Sequence, residues 1–122
     1  VLPVVVKKDG RREPFDLLKI SSGIKKACEK RPISTDSIDA VVENVKRACQ
    51  EFQGKEIPSP VIGETIMQEL QKLDGVAYVR FASVYREFRD VSDFFDELKD
   101  ILRKKKAELT IRKKEKKGNP EG

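Results

Sequence analysis

Histidine is absent from the 122 residues. That removes most familiar nucleophile and base arrangements, along with the imidazole ligands of an ordinary zinc site. An enzyme made from this chain would have to work with carboxylates or lysines alone, and no paired carboxylates or metal-ligand spacing accompany them. Cysteine occurs twice, at Cys28 and Cys49, each inside a helical apolar stripe, so reduced core thiols are expected rather than a disulfide framework. No stretch approaches the roughly 18 consecutive apolar residues of a membrane span, and the start lacks the apolar run of a secretory signal. A soluble, cytoplasmic protein is the expectation.

The length suits one compact domain with its own core, plus a tail. Apolar residues make up 38% and charged residues 39%, a balance that still permits globular folding because the apolar positions cluster with clear periodicity. The formal charge of +5 suggests nucleic acid until it is divided along the chain. Residues 1–98 hold 16 Lys and Arg against 17 Asp and Glu, whereas residues 99–122 hold 10 against 4, so the tail carries the whole excess. General affinity for polyanions therefore belongs to the tail.

The chain opens with a hairpin: Val4-Val5-Val6 is β-branched, Asp9-Gly10 is a two-residue turn signal, and Pro14 keeps the returning strand short or at an edge. Asp16 can cap a first helix striped by Leu17, Ile20, Ile24 and Ala27 and running to about Arg31, where Pro32 ends it. Ser34-Thr35-Asp36 offers the next cap, before the cleanest stripe of the sequence, Ile38, Val41, Val42, Val45, Cys49 and Phe52. Gly54 stops this helix, Glu56-Ile57 can add a brief strand to the hairpin, and Ser59-Pro60 reads as a cap before a first-turn proline. Ile62, Ile66, Leu70 and Leu73 mark a third helix. After Asp74-Gly75, the residues Tyr78, Phe81, Ala82, Tyr85 and Phe88 share one face of a fourth, and Ser92 or Asp90 caps a last one. From Arg103 onward the stripe thins into lysine-rich sequence, read as a frayed helix passing into disorder. The fold class is α+β: a small N-terminal hairpin or three-stranded sheet packed on a four- to five-helix bundle, with a domain over 1–98 and a tail over 99–122.

The hairpin segment Lys7-Lys8-Asp9-Gly10-Arg11-Arg12-Glu13 gathers cations at a tight turn, where lysines and backbone N–H groups can face a phosphate chain. Taken alone, the simpler reading is a turn kept soluble by its charge. The larger pattern adds Glu13, Asp16 and Lys19 at set distances downstream.

In this pattern the chain resembles the ATP-cone family, which opens on a Val-x-Lys-Arg-Asp-Gly hairpin followed by a Glu, an Asn or Asp, and a Lys. Val5, Lys7, Lys8, Asp9, Gly10, Glu13, Asp16 and Lys19 match, with Lys8 where the family has arginine; it keeps the charge and loses the planar fork. The words Lys-Lys-Asp-Gly-Arg-Arg-Glu-Pro-Phe-Asp, Ala-Cys-Glu-Lys-Arg-Pro and Val-Ala-Tyr-Val-Arg-Phe-Ala-Ser-Val-Tyr-Arg-Glu-Phe are similar to the ATP-cone of the bacterial NrdR-type repressors of ribonucleotide reductase genes.

The resemblance implies a domain that binds ATP or dATP, with Mg, and does not turn it over. It places Lys7 and Lys8 on the triphosphate, Glu13 and Asp16 as acceptors for the adenine or sugar, Lys19 in the pocket wall beside Val5, and Ser59 at a helix start facing the nucleotide. Tyr85 and, from the fourth helix, Arg80 or Arg86 are further candidates, although Tyr78, Phe81 and Tyr85 all sit at core spacing and packing is the default explanation for them.

The resembling repressors also carry a zinc ribbon with paired Cys-x-x-Cys elements that reads operator DNA. No such pairs occur here, and the sequence starts at Val1, so a fragment, a truncated product or the regulatory half alone is expected, holding the sensor without the reader. Nucleotide would then control homo-oligomerisation, and through it operator binding by the ribbon. Two alternatives compete: an allosteric cone of a ribonucleotide reductase, against which the short charged tail argues, and a basic helical interaction module. The tail runs Arg103-Lys104-Lys105-Lys106 and Arg112-Lys113-Lys114 could meet DNA phosphates, but without aromatic residues a solvated end is the simpler reading.

Overall fold

The computed structural model describes residues 2–88 and 90–117, with the backbone alone for 116 and 117. The chain packs as two units, Val1–Glu87 and Phe88–Gly122.

The first unit is a three-stranded mixed sheet with four helices. Strand β1 (Val4–Val6) is central, paired antiparallel to β2 (Arg12–Glu13) and parallel to β3 (Glu56–Pro58). Only two residues of β2 pair, at the sheet edge and just before Pro14, as a proline without an N–H requires. The turn between β1 and β2 differs from the expected two-residue loop. Lys7 donates its N–H to Arg11 O (2.8 Å), Gly10 donates to Lys7 O (2.9 Å), and Gly10 has φ +87°, so the loop is Lys8-Asp9-Gly10 with glycine in the left-handed position. Lys8 is thereby carried to the exposed tip.

Helix α1 (Leu17–Ala27) is capped as its sequence indicates, Asp16 accepting from the Lys19 N–H at 3.1 Å. It ends about four residues before the expected Arg31. Lys30 turns to φ 60°, and the Arg80 guanidinium donates hydrogen bonds to the carbonyls of Ala27 (3.3 Å) and Glu29 (2.6 Å). That tertiary contact supplies the C-terminal partner that a longer helix would have made unnecessary. Helix α2 (Thr35–Glu51) begins on Ser34, whose hydroxyl accepts from the Ser37 N–H at 3.0 Å, and it buries Val41, Val45 and Cys49 from the predicted stripe. Cys28 and Cys49 are free, buried thiols.

Helix α3 (Ser59–Leu73) follows β3 directly. Ser59 does not cap it: Pro58, extended at ψ 137°, precedes the first helical residue, Ser59 is already in the helix, and no side chain makes a cap bond. The strand pairing of β3 runs through Pro58, so the chain enters the helix one residue earlier than Ser59-Pro60 suggests. Helix α4 (Gly75–Tyr85) is capped by Asp74, whose carboxylate accepts from the N–H groups of Val76 (2.9 Å) and Ala77 (3.0 Å). Because Glu87 has φ 52°, Phe88 falls outside the helix and does not continue the face of Tyr78, Ala82 and Tyr85. The core of this unit lies where α3 meets α2 and α4, with Ile24, Val45, Ile57, Leu70, Ala77 and Ala82 fully enclosed.

The second unit is helix α5 (Val91–Lys117), started by Asp90 accepting from the N–H groups of Ser92 (2.9 Å) and Asp93 (3.3 Å). It continues past Arg103, where fraying was expected. No glycine or proline falls between 91 and 117, and Lys, Arg, Glu, Leu and Ala are strong helix formers, so the backbone holds the helix even where the apolar stripe thins. The part of the disorder expectation covering 118–122 lies outside the described residues. Among those residues no helix is long and apolar enough to cross a membrane.

Candidate functional site

Strands β1 and β2 with helices α1, α3 and α4 enclose a cleft of about 400 Å³, within the span of roughly 300–1,000 Å³ typical of small-ligand sites. The hairpin and the first turn of α1 bring Lys7, Glu13, Asp16 and Lys19 to it. Val5, Ile62, Gly63 and Ile66 line it from the buried side, and Phe81 and Tyr85 from α4. Ser59 borders it from the start of α3, and its hydroxyl makes no hydrogen bond among the described residues.

Charge in the cleft is balanced. Lys7 Nζ stands 3.6 Å from Glu13 Oε2, and the Arg11 guanidinium reaches the other Glu13 oxygen at 3.8 Å. Asp16 spends one oxygen on the Lys19 N–H, which leaves further acceptor capacity. The two neighbouring hairpin arginines each meet a carboxylate. Arg12 Nε donates to Glu56 at 2.6 Å, and Arg11 Nε donates to Asp9 at 2.6 Å. The backbone N–H of Arg11, then its side chain, hold the Asp9 carboxyl below its ordinary pKa.

The aromatic side comes from α4. Tyr85 and Phe81 stack with ring centroids 6.0 Å apart and planes at 19°, and the Tyr85 hydroxyl donates to Pro60 O at 3.3 Å. Burial, followed by the nearby Glu64 carboxylate, pushes the Tyr85 phenol above its usual pKa, against the opposing Arg86, so it remains a neutral donor. The Arg86 guanidinium lies 3.5 Å from Glu64. The orientation of α4 depends on Asp74, which besides capping the helix is 3.1 Å from Arg31 Nη2 and accepts from Arg31 Nε. Burial raises the Asp74 carboxyl, but the Arg31 hydrogen bond and the two helix N–H groups outweigh it, and the net shift is downward.

Of the residues singled out in the sequence, the structure brings Val5, Lys7, Glu13, Asp16, Lys19, Ser59 and Tyr85 to one cleft. Lys8 and Arg80 do not line it. Lys8 sits at the hairpin tip because the loop has three residues, not two. Arg80 is turned to the end of α1 and borders a separate groove with Lys26 and Lys30. Sequence reasoning missed Ile20, Gly23, Gly63 and Ile66 as lining residues and gave Phe81 to packing. A glycine in the middle of the α3 stripe was the available signal, since such a residue weakens a helix unless something must approach it closely.

Comparison with known proteins agrees with this architecture. The ATP cone domain pattern matches residues 3–91. The chain is 66% identical over 101 residues to a protein named transcriptional repressor NrdR from Syntrophus aciditrophicus, covering 83% of this chain and 64% of that one. It is 60% identical over 104 residues to the protein of that name from Pelobacter propionicus, covering 85% of this chain and 69% of that one. Against the one from Geobacter sulfurreducens it is 57% identical over 104 residues, with the same two shares, 85% and 69%. The chain thus spans about two thirds of the length of these relatives, and 64% of the first.

Proposed function

The chain belongs to the ATP-cone family, in the branch found in the NrdR repressors, and from that premise we propose that its cleft binds ATP or dATP as a regulatory signal. The nucleotide is sensed rather than consumed, in keeping with relatives that are named as repressors. The observation that carries this reading is the convergence on one cleft of Lys7 and Lys19, the acceptors Glu13 and Asp16, and the stacked pair Phe81 and Tyr85.

Each part meets a different portion of the ligand. The lysines are point charges suited to phosphate oxygens, while the carboxylates accept from a ribose hydroxyl or the adenine amine. The apolar wall takes the flat base. Lys7 rests on Glu13 at 3.6 Å. A triphosphate draws the lysine away and frees Glu13 Oε2 to accept from the sugar, while Oε1 keeps Arg11 at 3.8 Å, so one ion pair exchanges for two ligand contacts. Ser59 adds a hydroxyl beside the first turn of α3, where backbone N–H groups without helical partners favour an anion. Mg would arrive on the phosphate oxygens.

As part of the same reading, nucleotide occupancy shifts the assembly of the longer protein. Assembly in turn governs operator binding by the zinc ribbon that the resemblance implies. Calorimetric titration tests the binding step: ATP and dATP give saturable heat and raise the melting temperature, whereas no heat and no thermal shift at millimolar nucleotide contradicts it. Sedimentation with and without nucleotide tests the assembly step, and an unchanged distribution contradicts that step alone.

A further inference from the structure

Glycine is among the poorest helix formers, yet Gly63 lies buried in the second turn of α3. A β-carbon there would stand 2.5 Å from the Tyr85 hydroxyl oxygen and closer still to Cε2 and Cζ of the same ring. No L side chain fits at this position unless Tyr85 moves. Gly23, also on the cleft, is different, because a β-carbon there would meet Phe81 at an ordinary 3.7 Å. The close approach is therefore specific to the Gly63–Tyr85 pair.

Three contacts fix that ring: the bare backbone of α3 at Gly63, the stack on Phe81, and the hydroxyl bond to Pro60 O at 3.3 Å. With its hydroxyl engaged on α3, Tyr85 offers the cleft its ring. The phosphate-seeking groups Lys7 and Lys19 come from the hairpin and α1, so the cleft has one cationic and one aromatic side.

We infer that Gly63 is a positioning residue for the ligand's base. By lacking a side chain it seats Tyr85 against α3, so that the Phe81–Tyr85 pair forms a platform on which a planar heteroaromatic base stacks. The inference rests on the nucleotide reading of the cleft and adds an orientation to it, with the base toward α4 and the phosphates toward the hairpin. Adding a methyl at Gly63 expels the ring from its seat and removes the platform without touching any charged group.

The test is a cycle of Gly63→Ala, Tyr85→Ala and the double variant, each titrated with ATP and with adenosine. Base–aromatic stacking has the strength to make each single change cost about tenfold or more in affinity. Gly63→Ala should weaken ATP and adenosine by the same factor, and the double variant should bind no more weakly than Tyr85→Ala, because the methyl has nothing left to displace. The chain has two tyrosines and no tryptophan, so ligand quenching of tyrosine emission, lost in Tyr85→Phe or Gly63→Ala if stacking is responsible, reports the platform directly.

Unchanged affinity in Gly63→Ala, a loss confined to ATP, or a double variant much weaker than Tyr85→Ala would overturn the inference. Should Gly63→Ala fail to fold, the comparison of Tyr85→Ala with the double variant decides alone. A wild-type chain that binds neither ligand refutes the nucleotide reading itself, whereas a wild type that binds and a Gly63→Ala variant that binds equally well refutes only the role of Gly63.

Discussion

Replacing Asp74 with alanine removes two supports of α4 at once. The carboxylate caps the helix through the N–H groups of Val76 and Ala77, and it receives the Arg31 guanidinium at 3.1 Å. Loss of a helix cap costs about 1 kcal/mol. The ion pair lies between two regimes, since the Asp74 side chain is 11% exposed and that of Arg31 33%. Fully exposed pairs contribute less than about 1 kcal/mol and breaking a buried one costs about 3–5 kcal/mol, so about 1–2 kcal/mol is expected here. Together Asp74→Ala should destabilise the domain by about 2–3 kcal/mol, a fall in Tm of about 10–20 °C for a unit of this size. Urea unfolding of Asp74→Ala, Arg31→Met and the double variant would measure it, with a coupling of about 1 kcal/mol between the two sites. A loss below about 0.5 kcal/mol, or strictly additive changes, would refute the reasoning. Because α4 carries Phe81 and Tyr85, nucleotide affinity should fall with it.

Lys7→Ala/Lys8→Ala should weaken ATP by about 10–100-fold, the worth of a charge-assisted hydrogen bond, and leave adenosine nearly unchanged. Since Lys7 lines the cleft and Lys8 does not, Lys7→Ala alone should carry most of that loss in calorimetry. Stability should also depend on pH through Asp74, whose carboxyl the Arg31 hydrogen bond and the helix N–H groups hold below its ordinary pKa against the opposing effect of burial. A depressed carboxylate stabilises fully above its unfolded pKa and loses that contribution as pH falls through the folded value, so the acid melting curve of Asp74→Asn should be flatter than that of the wild type below about pH 4. Leu70 is wholly enclosed, and Leu70→Ala should cost about 2–5 kcal/mol in denaturant unfolding.

Local chemistry made much of this fold legible. Helix α2 follows from its stripe and Ser34, α1 begins where Asp16 says it should, and the brief strand at Glu56-Ile57 forms. The errors share a physical origin in contacts between residues far apart in sequence. The early end of α1 depends on Arg80, 53 residues away from Ala27, and the shift of the α3 start depends on β3 pairing with β1. The hairpin loop gained a residue because Gly10, not Asp9, takes the left-handed conformation, and this displaced Lys8 from the cleft. At the site, the charged residues were singled out by the resemblance to the ATP-cone pattern, since their type and local spacing alone read as a solvated turn, whereas the apolar side was not singled out. Ile20, Ile66 and Phe81 look like core until the helices are assembled around a gap, and Gly63 shows its purpose only beside Tyr85.

A crystal structure of the chain grown with ATP would show where the nucleotide sits and which way round it lies. ATP should lie in the cleft in a single base-to-phosphate orientation, with phosphate oxygens within hydrogen-bonding distance of Lys7 Nζ and the adenine against Phe81 and Tyr85. Nucleotide bound elsewhere, for instance in the groove beside Arg80, with this cleft free of it, would contradict the account.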